Sequence, residues 1–329
     1  MNYKILKLLK DSGEDFVSGQ KISEEFGVSR AAIWKHINII KEAGYEIEAI
    51  SRKGYRIISS PDILTFGEIK NFLTTKYIGK NIIHYESISS TNSKAKELAE
   101  MNEEHGTVIV SEEQTLGRGR LGRNWVSPKY KGIWMSIILR PNIITQNASL
   151  ITLVGAAAVQ RAIKKMGIET SIKWPNDIVI DSKKVCGILT EMSGEIDHIN
   201  YLIMGIGINV NLEEEDIPIE LKESATSLKL ETGKYIDRKL LLANILNEFE
   251  DLYNDFVLNG NIKETIDICR EKSILIGREI QLVNRGKVKI AKAVDISDKG
   301  ELIIENDQGI IEHIVSGEVS IRGIYGYGK

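Results

Sequence analysis

The hydrophobic pattern changes character twice along the chain, and each change marks a boundary. Over the first sixty residues apolar positions recur at helical spacing. Tyr3–Lys10 reads as an amphipathic helix, a second opens at Ser18 or Gly19 and runs through Phe26, and a third covers Arg30–Ala43 with Ile33, Ile37 and Ile40 on one face. Gly27 suits the left-handed position that closes a helix, and Ser29 suits the N-cap that opens the next. Alternation of period two then takes over at Tyr45–Ile50 and Tyr55–Ile58, around a turn at Ser51–Gly54, with Pro61 marking a linker. These elements predict a winged helix-turn-helix over residues 1–60, with the helix-turn-helix at about 19–38.

From Thr65 the texture is that of an α+β domain spanning residues 65–272. Thr65 and Glu68 have the spacing of a capping box for a short helix. Strands are expected at Ile82–Glu86, Val108–Glu112, Ile133–Leu139, Ser171–Trp174, Ile178–Ile180, Val185–Glu191 and Tyr201–Val210, and helices at Asn92–Met101, Ser149–Met166 and Arg238–Val257. Strands grouped between a few helices argue for a mixed sheet and against a doubly wound parallel one. Residues 277–329 return to short strands, at Glu279–Asn284, Lys287–Ile296, Glu301–Glu305, Ile310–Ser316 and Ser320–Ile324. Turn chemistry at Asn284–Gly286 and Asp298–Gly300 separates them, which predicts a small antiparallel barrel.

Composition narrows the class. A chain of 329 residues with 42% hydrophobic and 27% charged positions is an ordinary multi-domain globular protein, and its net charge of −3 excludes no partner. Cys186 and Cys269 form no CxxC pair, which fits a reducing, cytoplasmic setting. Lysines interrupt the apolar residues of the N-terminus, unlike a secretory leader, and Leu150–Val159 is too short to span a bilayer.

In the N-terminal unit basic residues outnumber acidic ones, against the balance of the whole chain. The face of the third helix opposite its isoleucines carries Arg30, Ala31, Trp34, Lys35 and Asn38. Small and cationic residues near a helix start allow close approach to base edges. Arg52 and Lys53 on the wing turn are placed for phosphates. A protein-interaction module is the competing reading; the position of the charge on the recognition face favours DNA.

Candidate chemistry is concentrated in two segments. Gln114–Arg123 holds three glycines and three arginines after a predicted strand. It matches GxGxxG literally, but Trp125, Pro128 and another strand follow where a dinucleotide fold needs a helix. What remains is a loop whose amides and guanidinium groups can surround anionic oxygens, with a solvated basic loop or an RNA-binding patch as the alternative. Lys173-Trp174-Pro175-Asn176-Asp177 is an extended bend followed at once by polar groups able to hold a water, a metal or a lysine. Lys184 stands at a strand start, where a lone lysine is ordinarily a surface charge. Gly205 and Gly207 share one face of an apolar strand and permit close approach to the backbone. Ser90-Thr91-Asn92 starts a helix and reads first as its cap, with hydroxyls and an amide that could also bind a polar ring. The five histidines show no metal-ligand spacing, and neither a Walker loop nor a GxSxG elbow occurs.

Together and in this order, these segments resemble the biotin protein ligase family, in the bifunctional form that also represses biotin genes. The resemblance spans essentially the whole chain: Ser29-Arg30-Ala31-Ala32-Ile33, Ser90–Asn92, Gln114 with Gly117–Arg123, Lys173–Asp177, Lys184 with Gly187–Leu189, Gly205–Asn209, and a C-terminal SH3-like barrel. It implies that biotin's carboxylate attacks the α-phosphorus of ATP and that a lysine of a biotin carboxyl carrier protein then takes the acyl group. It also implies a homodimer on operator DNA when biotinyl-AMP is bound.

By the same matching, Arg118, Arg120 and Lys184 would be catalytic. Ser90, Thr91, Asn92, Gln114, Gly117 and Gly119 would join them around biotin. Trp125 would stack on adenine, Asn209 would bond it, and Arg322 would reach the nucleotide. Asp177 would orient Lys184 or hold Mg2+. Ser29, Arg30, Ala31, Trp34, Lys35, Arg52 and Lys53 would contact DNA. The acidic run Glu213–Asp216 lies where the family has a ligand-ordered loop, and its charge predicts disorder without ligand. A sensing repressor without catalysis and a lipoate ligase are the alternatives.

Overall fold

The computed structural model describes residues 1–42, 44–195, 198–284, 287–315 and 320–323, with backbone alone for Tyr3, Asn284, Lys287 and 320–323. It divides into two compact units, Met1–Asp62 and Ile63–Lys329.

The first unit contains α1 (Asn2–Asp11), α2 (Gly19–Phe26), α3 (Arg30–Glu42) and the antiparallel pair β1 (Glu46–Ile50) and β2 (Gly54–Ser59). Its core is Ile5, Leu9, Val17, Ile22 and the three isoleucines Ile33, Ile37 and Ile40. Helix starts and stops follow side-chain chemistry. Ser18 Oγ accepts from Lys21 N–H at 3.0 Å, Ser29 Oγ accepts from Ala32 N–H at 3.2 Å, and Gly27 closes α2 at φ +65°. The unit is a helix-turn-helix with a two-stranded wing.

The second unit is built on a seven-stranded sheet in the order β3-β4-β5-β9-β8-β7-β6. Its strands are β3 (Ile82–Tyr85), β4 (Val108–Ser111), β5 (Gly132–Leu139), β6 (Ser171–Lys173), β7 (Asp177–Ile180), β8 (Lys183–Gly194) and β9 (Ile199–Asn209). Only β3 and β4 run parallel, so the sheet is mixed, as the strand grouping predicts. Helices α4 (Phe66–Ile69), α5 (Thr91–Glu100), α6 (Ala148–Lys165), α7 (Leu228–Thr232), α8 (Arg238–Asn259) and α9 (Lys263–Glu271) pack around it. Helix α6 is apolar nearly all round because it lies between the sheet and α8. Asp237 caps α8 by accepting from Lys239 and Leu240 N–H.

A five-stranded antiparallel sheet follows, ordered β13-β12-β11-β10-β14. Its strands are β10 (Glu279–Asn284), β11 (Lys287–Ile296), β12 (Leu302–Asn306), β13 (Ile311–Ile314) and β14 (Ser320–Gly323). Part of the turn expected at Asn284–Gly286 lies outside the described residues.

Three expectations need correction. Thr65 precedes α4 but makes no side-chain cap bond. Glu68 is instead buried, with Lys239 Nζ 3.8 Å from its carboxylate. The acidic run does not stand loose: Glu213 and Asp216 form a capping box around a single 3-10 turn. Lys229 pairs with Glu213, and Lys131 lies 3.3 Å from Asp216. Helices α7 and α9 were not expected from the pattern; α9 buries only Thr265, Ile266 and Cys269.

Candidate active site

The sheet's centre and the loops at one end of it enclose a cavity of about 1000 Å³. Most of the chemistry singled out in the sequence converges there. Ser90, Thr91, Asn92, Gln114, Arg118, Gly119, Arg120, Trp125, Asp177, Lys184 and Asn209 all line it.

One end of the cavity is polar and neutral. Ser90 caps α5, its hydroxyl accepting from Ser93 N–H, and the helix start thereby delivers Thr91 and Asn92 to the sheet face. Thr91 N–H donates to Gln114 Oε1 at 2.9 Å, and Gln114 Nε2 donates to Ser127 Oγ at 2.9 Å. Asn92 lies directly on Gly205, where any Cβ would overlap its amide. Gly117 accepts from Trp125 N–H at 2.9 Å and so folds the Gly/Arg loop back on itself.

The rest of the cavity is densely charged, with Asp177, Asp181, Asp216, Glu220 and Glu223 lining it beside the cations. Arg118, Arg120 and Arg123 reach it from the Gly/Arg loop. Arg120 Nη1 donates to Asn176 Oδ1 at 2.8 Å, and Asn176 exchanges further bonds with Ile188 through its side chain and its own carbonyl. The KWPND bend therefore anchors an arginine of the loop. Lys184 Nζ lies 2.7 Å from Asp177 Oδ1 and 5.1 Å from the centre of the Trp125 ring. The Lys184–Asp177 contact is close, but it is not an aligned hydrogen bond. Trp125 packs against Gly207, where a Cβ would come within 2.5 Å of Nε1. Lys184 is fixed at its backbone too, giving its N–H to Ser224 at 2.8 Å and accepting from Thr226 at 3.0 Å. Thr226 O in turn accepts from Asn209 Nδ2 at 3.0 Å. The segment after the acidic turn is thus stitched to the start of β8.

Complete burial pushes the Cys186 thiol far above its ordinary value, which removes the cavity's nearest thiol from nucleophilic chemistry. Among the described residues no group of three or more metal-ligating side chains occurs. The arrangement is suited to bringing two anions together over fixed cations.

Three side chains of this region were not singled out in the sequence. Ser136 is the one hydroxyl in the apolar run 133–139, which was a usable signal. Glu191 gave none. Gln281 enters the cavity from β10 and was invisible for the same reason. Arg322 stands in register opposite Gln281 on β14; its side chain lies outside the described residues.

In the first unit the structure sets Arg30, Ala31, Trp34 and Lys35 on the exposed face of α3, with Trp34 63% exposed. Ser29 is the cap of that helix. Arg52 is exposed at the wing tip, while Lys53 Nζ lies 5.9 Å from the Phe16 ring centre.

Comparison with known proteins agrees with this geometry. Residues 85–209 match the family model of the biotin/lipoate A/B protein ligase family. Residues 2–56 match a helix-turn-helix domain, and 275–322 match the biotin protein ligase C-terminal domain. The bifunctional ligase/repressor BirA of Bacillus spizizenii is 43% identical over 318 residues, covering 96% of this chain and 97% of that protein. The chain belongs to the bifunctional biotin ligase/repressor family. The BirA of Escherichia coli is 28% identical over 97% of this chain and 96% of its own length. A solved member of the ligase family, the biotin protein ligase of Aquifex aeolicus in complex with biotin and ATP, is 37% identical with a TM-score of 0.66. The match covers 74% of this chain and 99% of that one. No helix among the described residues is long and apolar enough to cross a membrane.

Proposed function

We propose that this chain is an ATP-dependent biotin protein ligase that also represses transcription through its N-terminal unit. The observation that carries the reading is the cavity itself. The neutral polar groups Thr91, Asn92 and Gln114 share one cavity with the cations Arg118, Arg120 and Lys184. The neutral groups suit the biotin ring, and the cations suit its carboxylate beside the α-phosphate. A carboxylate oxygen attacks the α-phosphorus, the bond to the bridging β-phosphate oxygen breaks, and pyrophosphate leaves. The amine of a carrier-protein lysine then attacks the acyl carbon, losing a proton as AMP departs. Arg118, Arg120 and Lys184 offset the charge that builds as the two anions meet.

The finer assignments belong to the same proposal. Ser90 and Gly117 shape the ring pocket, and Gly119 keeps backbone close to the acyl chain. Trp125 stacks on adenine, Asn209 steadies it through the Thr226 link, and Arg322 approaches the nucleotide from β14. Magnesium prefers one or two carboxylates together with phosphate oxygens. Asp177 fits that pattern, because its contact with Lys184 is an unaligned ion pair. The ion would neutralise the leaving pyrophosphate. The C-terminal strands curl into an SH3-like barrel, and the domains run over 1–60, 65–272 and 277–329.

In the cytoplasm, a homodimer formed with biotinyl-AMP would bind a two-fold operator through Arg30, Ala31, Trp34, Lys35, Arg52 and Lys53, with Ser29 holding the recognition helix. Incubating the protein with labelled biotin, ATP and an apo carrier domain tests the ligase reading. Label on the carrier lysine with release of AMP supports it, and an unlabelled carrier contradicts it.

A further inference from the structure

Asn92 sits at the neutral end of the cavity with its amide held from both sides. On one side Ser136, completely buried on β5, donates from Oγ to Asn92 Oδ1 at 2.6 Å and lies 2.8 Å from Thr91 Oγ1. On the other side Asn92 Nδ2 donates to Glu191 Oε2 at 2.7 Å and to the Leu189 carbonyl at 3.3 Å. Gly205, paired with Ser136 across β5 and β9, is the floor on which the amide rests.

The donor and acceptor inventory makes this arrangement directional. An amide nitrogen carries two protons, and both are used here, one on a carboxylate and one on a backbone carbonyl. A carboxylate accepts and does not donate, so it draws the nitrogen and turns the amide oxygen towards Ser136 and the cavity. That oxygen has two lone pairs, and Ser136 takes one. Asn92 can therefore offer the cavity one acceptor and no donor.

We infer that Glu191 and Ser136 are positioning residues that lock the Asn92 amide so that it accepts from an N–H of the substrate's ring. The inference deepens the biotin reading and rests on it, because the ureido group of biotin carries such N–H donors. Without Glu191 the amide nitrogen keeps only the longer bond to Leu189, and the Ser136 hydroxyl can accept from a turned amide as well as donate to the present one, so the amide turns over more easily and its turned form would present N–H to N–H. Neither residue touches the phosphate-handling groups, so their effect is confined to ring binding.

Glu191 is exposed, so its truncation leaves no buried charge, and the Glu191→Ala chain is suited to a kinetic test. In biotin-dependent exchange of pyrophosphate into ATP, we expect Glu191→Ala to raise KM for biotin about fivefold, one ordinary hydrogen bond. KM for ATP and kcat should stay near wild type. Glu191→Gln, which keeps an acceptor oxygen, should restore KM for biotin. Ser136→Ala should raise the same constant, and the double variant should fall short of the product of the two single effects, because both act on one amide. An unchanged KM for biotin in Glu191→Ala, or equal losses in biotin and ATP binding, overturns the inference while the wild type is active. A wild-type chain without any biotin-dependent exchange instead overturns the functional reading beneath it.

Discussion

Lys184 Nζ and Asp177 Oδ1 lie 2.7 Å apart on the cavity wall, with the lysine also 5.1 Å from the Trp125 ring centre. The pair joins the start of β8 to the end of the KWPND bend and sets the lysine's ammonium group on the cavity wall. Replacing Lys184 by Ala should lower the rate of adenylate formation by about 10²–10³-fold, the usual loss for one preorganised donor to developing charge. Single-turnover measurement of AMP formation checks this, with circular dichroism confirming an intact fold.

Asp177 separates into two roles by experiment. If it holds Mg2+, Asp177→Asn should raise the magnesium concentration needed for half-maximal rate. If it orients Lys184, the variant should lower kcat at every magnesium concentration. A magnesium titration of both chains reads the difference directly.

Gly205 and Gly207 lie on one strand under two different partners. A Cβ at Gly207 would come within 2.5 Å of the Trp125 indole, and one at Gly205 would overlap the Asn92 amide. Gly207→Ala should therefore weaken nucleotide binding by displacing Trp125, and Gly205→Ala should weaken biotin binding. Calorimetric titration with each ligand should show the two losses uncrossed.

Stability should depend on pH through Glu112. Burial alone would raise its pKa, but His84, Arg238 and the Leu64 N–H together outweigh that and hold it below the ordinary 4.5. The carboxylate accepts from Leu64 N–H at 2.8 Å and from Arg238 Nη1 at 2.9 Å, with Arg238 fully buried. A depressed carboxylate contributes stability that is complete above its unfolded value and is lost as pH falls through its folded one. The contribution should thus be full above about 4.5 and disappear below it. Glu112→Gln at neutral pH should cost about 3 kcal/mol by removing the buried charge that accepts from Arg238 Nη1 and the Leu64 N–H. Urea titration at pH 7 and below 4.5 measures both.

On the DNA side, Arg52→Ala should weaken operator binding and reduce the slope of log affinity against log salt by ~0.9, the value for one phosphate contact. Lys35→Ala should instead discriminate among base substitutions in the operator. Fluorescence anisotropy over a salt series distinguishes the two.

Much of this site was legible because its chemistry is written in short runs. The Gly/Arg loop, the KWPND bend and Ser90–Asn92 each carry several polar groups within a few residues, and the cavity collects all three. The winged helix was legible for a different reason, since its buried isoleucines repeat at helical spacing. Glu191 and Gln281 were not legible, because each acquires meaning only from strand register. Glu191 meets Asn92 from 99 residues away, and Gln281 enters from another sheet. The acidic run was misjudged on its local charge; Lys131 and Lys229, distant on either side in sequence, pair with it. Thr65 and Glu68 had capping-box spacing, but burial of Glu68 took precedence.

In the proposed reaction one cavity joins biotin's carboxylate to the α-phosphate of ATP, and isotope exchange reads that step itself. Labelled pyrophosphate should enter ATP only when biotin is present, and the exchange should fall about 10²–10³-fold in the Lys184→Ala chain. Exchange that is absent from the wild type, or equal with and without biotin, would contradict the account.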